Sequence, residues 1–220
     1  MGAVYNWFLA RHHGEQKHLL MGAMKMQSTL IYYNQNAHSF AASTVSVDFT
    51  ATQARFMAHL PQGGSILDFG CGSGRDTKHF LAQGFQVTAT DGSKELCKFA
   101  SQYTGIAVKQ MLFQELDAVE QYDGIWACSS ILHLPLDELV LVLGKMAKAL
   151  TPRGIIYTSF KYGNFAGERN GRYFTDMTED SFAALMQNIT LLEIEEQWIT
   201  SDIRPGRGEE KWLNIILRKK

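Results

Sequence analysis

From Ser43 onward, apolar positions alternate between two rhythms. Phe49, Phe56, Met57 and Leu60 recur at helical spacing until Pro61, and the residue before a proline avoids the helical region, so the pattern predicts a helix over 49–60. Ser65–Phe69 is a short apolar strand, 70–74 a glycine turn, and 76–83 a helix with Gly84 as its stop. Phe85–Thr90 is the next strand, followed by a helix over 93–103 with Ser93 as N-cap and Leu96, Phe99 and Ala100 on one face. Ile106–Gln110 and Tyr122–Cys128 follow as strands. The second is almost wholly apolar, as a strand covered on both faces must be.

The clearest amphipathic helix carries Leu136, Leu139, Val140, Leu143, Met146, Ala147 and Leu150, and Pro152 and Gly154 end it. Ile155–Phe160 is a fifth strand, 180–187 a further helix, and 190–198 and 212–218 are two late strands with only a polar loop between them. Alternation of strand and helix predicts an α/β fold. Its form is a three-layer α/β/α, doubly wound, mostly parallel seven-stranded sheet with an antiparallel edge hairpin. Residues 26–220 form one domain, and 1–25, with little periodicity, read as an N-terminal extension.

Composition narrows the classes. With 21 Lys and Arg against 22 Asp and Glu, the chain lacks the basic excess of a nucleic-acid coat or a binder of acidic membranes. Cys71, Cys97 and Cys128 are widely spaced and form no CxxC, which argues against a disulfide framework or a metal site and favours a reducing compartment. No stretch reaches the ~18 apolar residues of a spanning helix. The first residues place apolar positions before basic ones, the reverse of a secretory signal, so a cytoplasmic location is expected.

The chemistry concentrates in Ile66-Leu67-Asp68-Phe69-Gly70-Cys71-Gly72-Ser73-Gly74-Arg75-Asp76. A strand runs into glycines that let the backbone turn sharply and a ligand approach closely. The spacing is G-x-G-x-G, and Arg75 stands where a dinucleotide motif has its third glycine. Asp68, at the strand end, suits a cationic ligand group and repels a pyrophosphate. Asp91 ends the second strand, where a carboxylate can accept ribose hydroxyls.

These segments resemble the class I S-adenosylmethionine-dependent methyltransferases, and within them the small-molecule and tellurite-resistance-type enzymes. The likeness runs from about Gln27 to the C-terminus and includes Val87–Ser93 and Tyr122–Leu134. It implies S-adenosyl-L-methionine as cofactor, S-adenosyl-L-homocysteine as product, and transfer of a methyl group to a small-molecule acceptor. Asp68, Gly70, Cys71, Gly72, Ser73, Gly74 and Arg75 would surround the methionine part, Asp91, Gly92 and Ser93 the ribose, and Met111 and Leu112 the adenine. The acid that such enzymes often carry near position 111 is absent, which leaves Gln110, Gln114 or backbone groups to read the base. Cys128 and Ser129 would pass under the sulfonium. Tyr32, Tyr33, Asn34 and Phe40 match an N-terminal helix that covers the cofactor.

His133, just after the fourth strand, is the candidate general base or acceptor contact. Two long loops flank the expected acceptor side, 160–174 and 201–212. Lys161, Tyr162, Arg169, Arg172, Tyr173, Arg204, Arg207 and Trp212 are their candidate substrate contacts, an anion-binding set unless the cations pair with Glu168, Asp202, Glu209 and Glu210. The alternatives are an NAD(P)-dependent oxidoreductase on a similar sheet, a module that binds the cofactor without catalysis, and a protein or RNA methyltransferase. No Asn-Pro-Pro-Tyr-type motif follows the fourth strand, which counts against DNA base methylation. Monomer and homodimer both stay open.

Overall fold

The computed structural model describes residues 27–204 and 206–220; the expected extension over 1–25 lies outside them. Three short helices come first: α1 (27–35), α2 (Ala37–Thr44) and α3 (Thr50–Met57). Then β1 (Ser65–Phe69), α4 (Arg75–Ala82), β2 (Gln86–Asp91), α5 (Lys94–Thr104), β3 (Val108–Gln110) and β4 (Tyr122–Ala127) alternate. They are followed by α6 (Leu136–Ala149), β5 (Leu150–Lys161), β6 (Ala166–Arg169), β7 (Arg172–Thr175), α7 (Glu179–Met186), β8 (Leu192–Ser201) and β9 (Lys211–Lys219).

Seven strands form one sheet in the order β3-β2-β1-β4-β5-β9-β8. The first five are parallel, and β9 pairs antiparallel with both β5 and β8. Neighbouring residues on a strand face opposite sides, and the packing shows it. Ile66, Trp126, Ile155 and Tyr157 enter one core with Phe56 of α3 and Phe80 of α4. Leu67, Ile125, Ala127 and Ile156 enter the other with Leu139, Leu143 and Met146 of α6. Trp126 stacks on Tyr157 at 4.0 Å between ring centroids. Each such fully buried apolar side chain contributes about 1.5–3 kcal/mol.

The chain winds outward from β1 to β3 and then crosses to β4. The strand order therefore reverses between β1 and β4, where an open α/β sheet leaves a crevice at the carboxyl ends of its strands.

Two expectations need correction. Pro152 and Gly154 do not separate α6 from a strand beginning at Ile155; β5 starts at Leu150. Its pairing with β4 shifts register between Tyr122↔Leu150 and Gly124↔Ile155, so Pro152 sits in a bulge where no ladder bond is lost. The segment 160–174 is not a loop. β6 and β7 form a separate hairpin with Arg169 opposite Arg172. Asn170 (φ 50°) and Gly171 (φ 75°) make the turn, both in the left-handed region that a tight hairpin requires.

Candidate active site

Gly70 (φ 87°) and Gly72 (φ 56°) turn the chain out of β1 toward α4. The amides of Gly70 and Cys71 both donate to the Thr90 carbonyl at 2.9 Å, which clamps the turn to the end of β2. A Cβ at position 70 would lie 2.5 Å from the Ser130 Cβ, so no larger residue fits there. Asp91 completes the clamp: its Oδ2 accepts from the Gly72 amide at 2.9 Å and its Oδ1 from the Ser93 amide at 2.8 Å. Burial raises the Asp91 pKa, and these two amide bonds oppose the rise. Each of its oxygens keeps a second lone pair for an incoming hydroxyl.

This turn forms one wall of a cavity of roughly 410 Å³, a volume in the range of small-molecule sites. Gly70, Cys71, Gly72, Ser73 and Arg75 line it together with Asp91, Gly92, Met111 and Leu112. Leu30 and Tyr33 of α1 and Phe40 of α2 cover this end. Cys128 and Ser129 lie at the end of β4 on the same cavity. Ser129 has φ 52°, uncommon for a residue with a side chain, and its amide donates to Ser159 Oγ at 2.9 Å. His133, Arg172, Phe174, Lys161, Arg204, Arg207 and Trp212 also line the cavity.

Several sequence candidates, Tyr32 and Asn34 among them, lie off the wall. Asp68 is buried beneath the turn, where its Oδ2 accepts from Thr77 Oγ1 at 2.5 Å. Burial and the nearby Asp76 carboxylate push its pKa up to about 8, opposed by the Thr77 bond and Arg75. Gly74 caps α4 and is pressed against Thr104, which a Cβ would approach to 2.7 Å. Ser93 is occupied as the α5 cap, accepting from the Leu96 amide and donating to Asn34 Oδ1. Tyr162 is exposed, Arg169 pairs with Asp176 over the Phe165 ring, and Tyr173 takes part through its backbone. Gln110 donates to the Gly92 carbonyl and Gln114 to Glu138, so neither faces the cavity.

His133 is 8% exposed and both of its nitrogens are engaged. Nδ1 lies 2.6 Å from the Tyr173 carbonyl, which can only accept, so Nδ1 carries the proton. Nε2 then accepts from the Tyr33 hydroxyl at 2.9 Å. Burial lowers the His133 pKa to about 4, and the imidazole is neutral near pH 7.

The loop cations are mostly paired. Arg204 holds Asp202 through two nitrogens, Lys161 pairs with Glu210 beside Trp212, and Arg207 lies 3.9 Å from Glu210. Asp202, which also accepts from Trp212 Nε1 at 3.2 Å, has its pKa lowered to about 2 by the Arg204 bonds against the cost of burial. The expected anion pocket of loop cations is thus largely a set of internal ion pairs.

A buried network behind the turn had no sequence signal. Asp76 accepts from Arg75 Nε at 2.8 Å, Gln53 Nε2 at 2.6 Å and Trp126 Nε1 at 2.8 Å, while Arg75 lies over the Phe49 ring. These side chains come from α3, α4 and β4, and only the fold brings them together. Burial raises the Cys71 pKa and pushes Cys128 up to about 12, so both thiols stay protonated. Among the described residues no group of three His, Cys, Asp or Glu side chains is arranged to hold a metal ion.

Comparison with known proteins points the same way. Residues 66–154 match the family described as "Methyltransferase domain". YqeM of Bacillus subtilis (strain 168), whose name places it among the methyltransferases, is 29% identical over 135 residues, 56% of this chain and 53% of its own. The chain therefore spans about half the length of that curated relative. Burkholderia thailandensis 1,6-didemethyltoxoflavin-N1-methyltransferase superposes with a TM-score of 0.71 at 22% identity, over 92% of this chain and 90% of that one. A TehB-like S-adenosylmethionine-dependent methyltransferase from Corynebacterium glutamicum gives 0.62 at 21% identity, over 87% and 98%. Residues 66–154 thus match a methyltransferase-domain family, and the chain shares the α/β fold of these methyltransferases.

Proposed function

We propose that the protein transfers a methyl group from S-adenosylmethionine to a small-molecule acceptor bound in the same cavity. The observation that carries this reading is the clamp of Asp91 on the Gly70–Gly72 turn, opening onto a cavity at the strand-order reversal. The residues present fit the cofactor. The Gly72 backbone comes close under Phe40, where a Cβ would stand 3.2 Å from the ring, and Asp91 offers lone pairs to ribose hydroxyls. Gly70, Cys71, Gly72 and Ser73 would hold its methionine part, Asp91 and Gly92 its ribose, and Met111 and Leu112 its base. Asp68 supports the turn from below.

When bound, the cofactor supplies an electrophilic methyl: an acceptor lone pair bonds to it as the carbon–sulfur bond breaks, and that electron pair stays on sulfur. The protein's share is alignment and exclusion of water. Tyr33 and Phe40 close over the site, and Ser129 is held at its floor by Ser159. A base works best with a pKa near the operating pH; His133, near 4, is a poor proton sink. Its part is to fix the Tyr33 hydroxyl as a positioning residue, and the acceptor brings a free lone pair.

Described residues of one chain line this cavity, and the reading requires no second copy. No helix among them is long and apolar enough to cross a membrane, and we place the activity in the cytoplasm. The test is release of S-adenosylhomocysteine across a panel of small acids, amines, thiols and chalcogen oxyanions. Turnover of at least one, lost in Asp91→Ala, is expected. Binding of the cofactor with no turnover of any small acceptor, and methylation of a protein or RNA instead, would overturn the acceptor class.

A further inference from the structure

We propose that Arg172 is the specificity-determining group of the acceptor end, and that the acceptor is a small planar molecule carrying a carboxylate or equivalent oxyanion. The inference rests on the reading of the cavity as a methyltransferase site and names its substrate class.

Arg172 differs from the other cations around this cavity. Arg75, Lys161, Arg204 and Arg207 each have a carboxylate partner. Arg172 lines the cavity and forms no ion pair among the described residues. Its Nε is buried and has no hydrogen-bond partner there. The side chain is half-buried and bonds the Tyr33 hydroxyl, and an anion from the ligand would supply the counter-charge that it lacks among the described residues.

The surroundings define what that anion belongs to. The guanidinium carbon lies 4.3 Å from the Tyr32 ring centre, 5.2 Å from Phe174 and 5.8 Å from Tyr33. Aromatic faces hold an arginine plane by stacking and leave its edge free for the two-point pairing that a carboxylate provides. Tyr33 and Phe174 also line the cavity and give it apolar walls suited to a flat molecule.

The group is also held in place from several sides. Arg172 opens β7, opposite Arg169 across the Asn170-Gly171 turn. The next residue is fixed at both backbone groups: the Tyr173 amide donates to Thr29 Oγ1 at 3.0 Å, and its carbonyl accepts from His133 Nδ1. Helix α1, the hairpin and the turn after β4 thus fix the position of Arg172 relative to the cavity. With both His133 nitrogens engaged, an acceptor that arrives already ionised matches this arrangement.

The test uses the full chain saturated with S-adenosylhomocysteine. Benzoate, 2-aminobenzoate and 4-hydroxybenzoate are titrated beside their carboxamides by calorimetry, in wild type, Arg172→Lys and Arg172→Met. We expect at least one carboxylate to bind wild type about tenfold or more tightly than its amide. That preference should vanish in Arg172→Met and survive in part in Arg172→Lys, with S-adenosylhomocysteine affinity alike in all three. Equal binding of acids and amides, no binding of any acid at millimolar concentration, or a preference that persists in Arg172→Met overturns the inference. Loss of S-adenosylhomocysteine binding by wild type would instead overturn the reading of the cavity itself. Should Arg172→Met fail to fold, the acid-to-amide ratio in wild type and in Arg172→Lys still decides.

Discussion

The Tyr33 hydroxyl lies 2.9 Å from His133 Nε2, joining the helix over the cavity to the turn after β4. The bond depends on a neutral imidazole, and burial supplies that by lowering the pKa from 6.5 to about 4. The unfolded chain therefore binds the extra proton first as pH falls, so stability rises with pH between those values. Unfolding free energy is expected to drop by about 2 kcal/mol between pH 7 and pH 5 through this group. His133→Asn should flatten the slope over that window in urea titrations; an unchanged slope would show that His133 is not the group responsible.

Asp68 has the opposite sign. Its pKa, raised from 3.8 to about 8, means the folded chain holds a proton that the unfolded chain gives up. That contribution is fully present below the unfolded value and is lost as pH rises through the folded one. Asp68→Asn mimics the protonated carboxyl and can still accept from Thr77. The variant should fold and should lose the decline in denaturation midpoint between about pH 4 and pH 8 that Asp68 gives the wild type.

Substitutions in the turn separate strain from clash. Gly84 and Gly70 both have φ 87°, but nothing lies within 4 Å of a Cβ at Gly84, whereas one at Gly70 meets Ser130 at 2.5 Å. Gly84→Ala should cost about 1–2 kcal/mol from the left-handed backbone alone. Gly70→Ala should cost clearly more and weaken S-adenosylhomocysteine binding as well. Chemical denaturation of both variants checks the order, which would be reversed or absent if the turn could relax freely.

Arg204 and Arg207 should behave differently. Arg204→Ala strands Asp202, 7% exposed, beside the Trp212 indole and is expected to cost at least about 1 kcal/mol of stability. Arg207 stands 3.9 Å from Glu210 and is half exposed. Its replacement should change stability by no more than about 0.5 kcal/mol. Melting of the two single variants would show the contrast, and equal effects would contradict a structural Arg204–Asp202 pair.

What the sequence revealed follows from range. Strand and helix rhythm placed the central sheet, because burial on two faces leaves a near-continuous apolar run in β4 and a three-and-four spacing in α6. The glycine turn and Asp91 were legible since their chemistry is local. The β6–β7 hairpin was missed although Asn170-Gly171 is a strong turn signal, because polar Glu168, Arg169 and Arg172 hide the alternation. The Gln53–Asp76–Trp126 network had no sequence signal, whereas pairing of the loop cations with Asp202 was one of two open readings, between which sequence could not decide. Long-range burial made the first, and pairing within a loop neutralised the second.

The central claim is that the Asp91-clamped turn holds S-adenosylmethionine. Calorimetric titration of the full chain with S-adenosylhomocysteine tests it most directly. The account expects one molecule bound per chain, with affinity reduced about tenfold or more in Asp91→Ala while circular dichroism shows the fold retained. A folded wild-type chain that binds neither the cofactor nor its demethylated product, or an Asp91→Ala variant that binds as tightly as wild type, would contradict it.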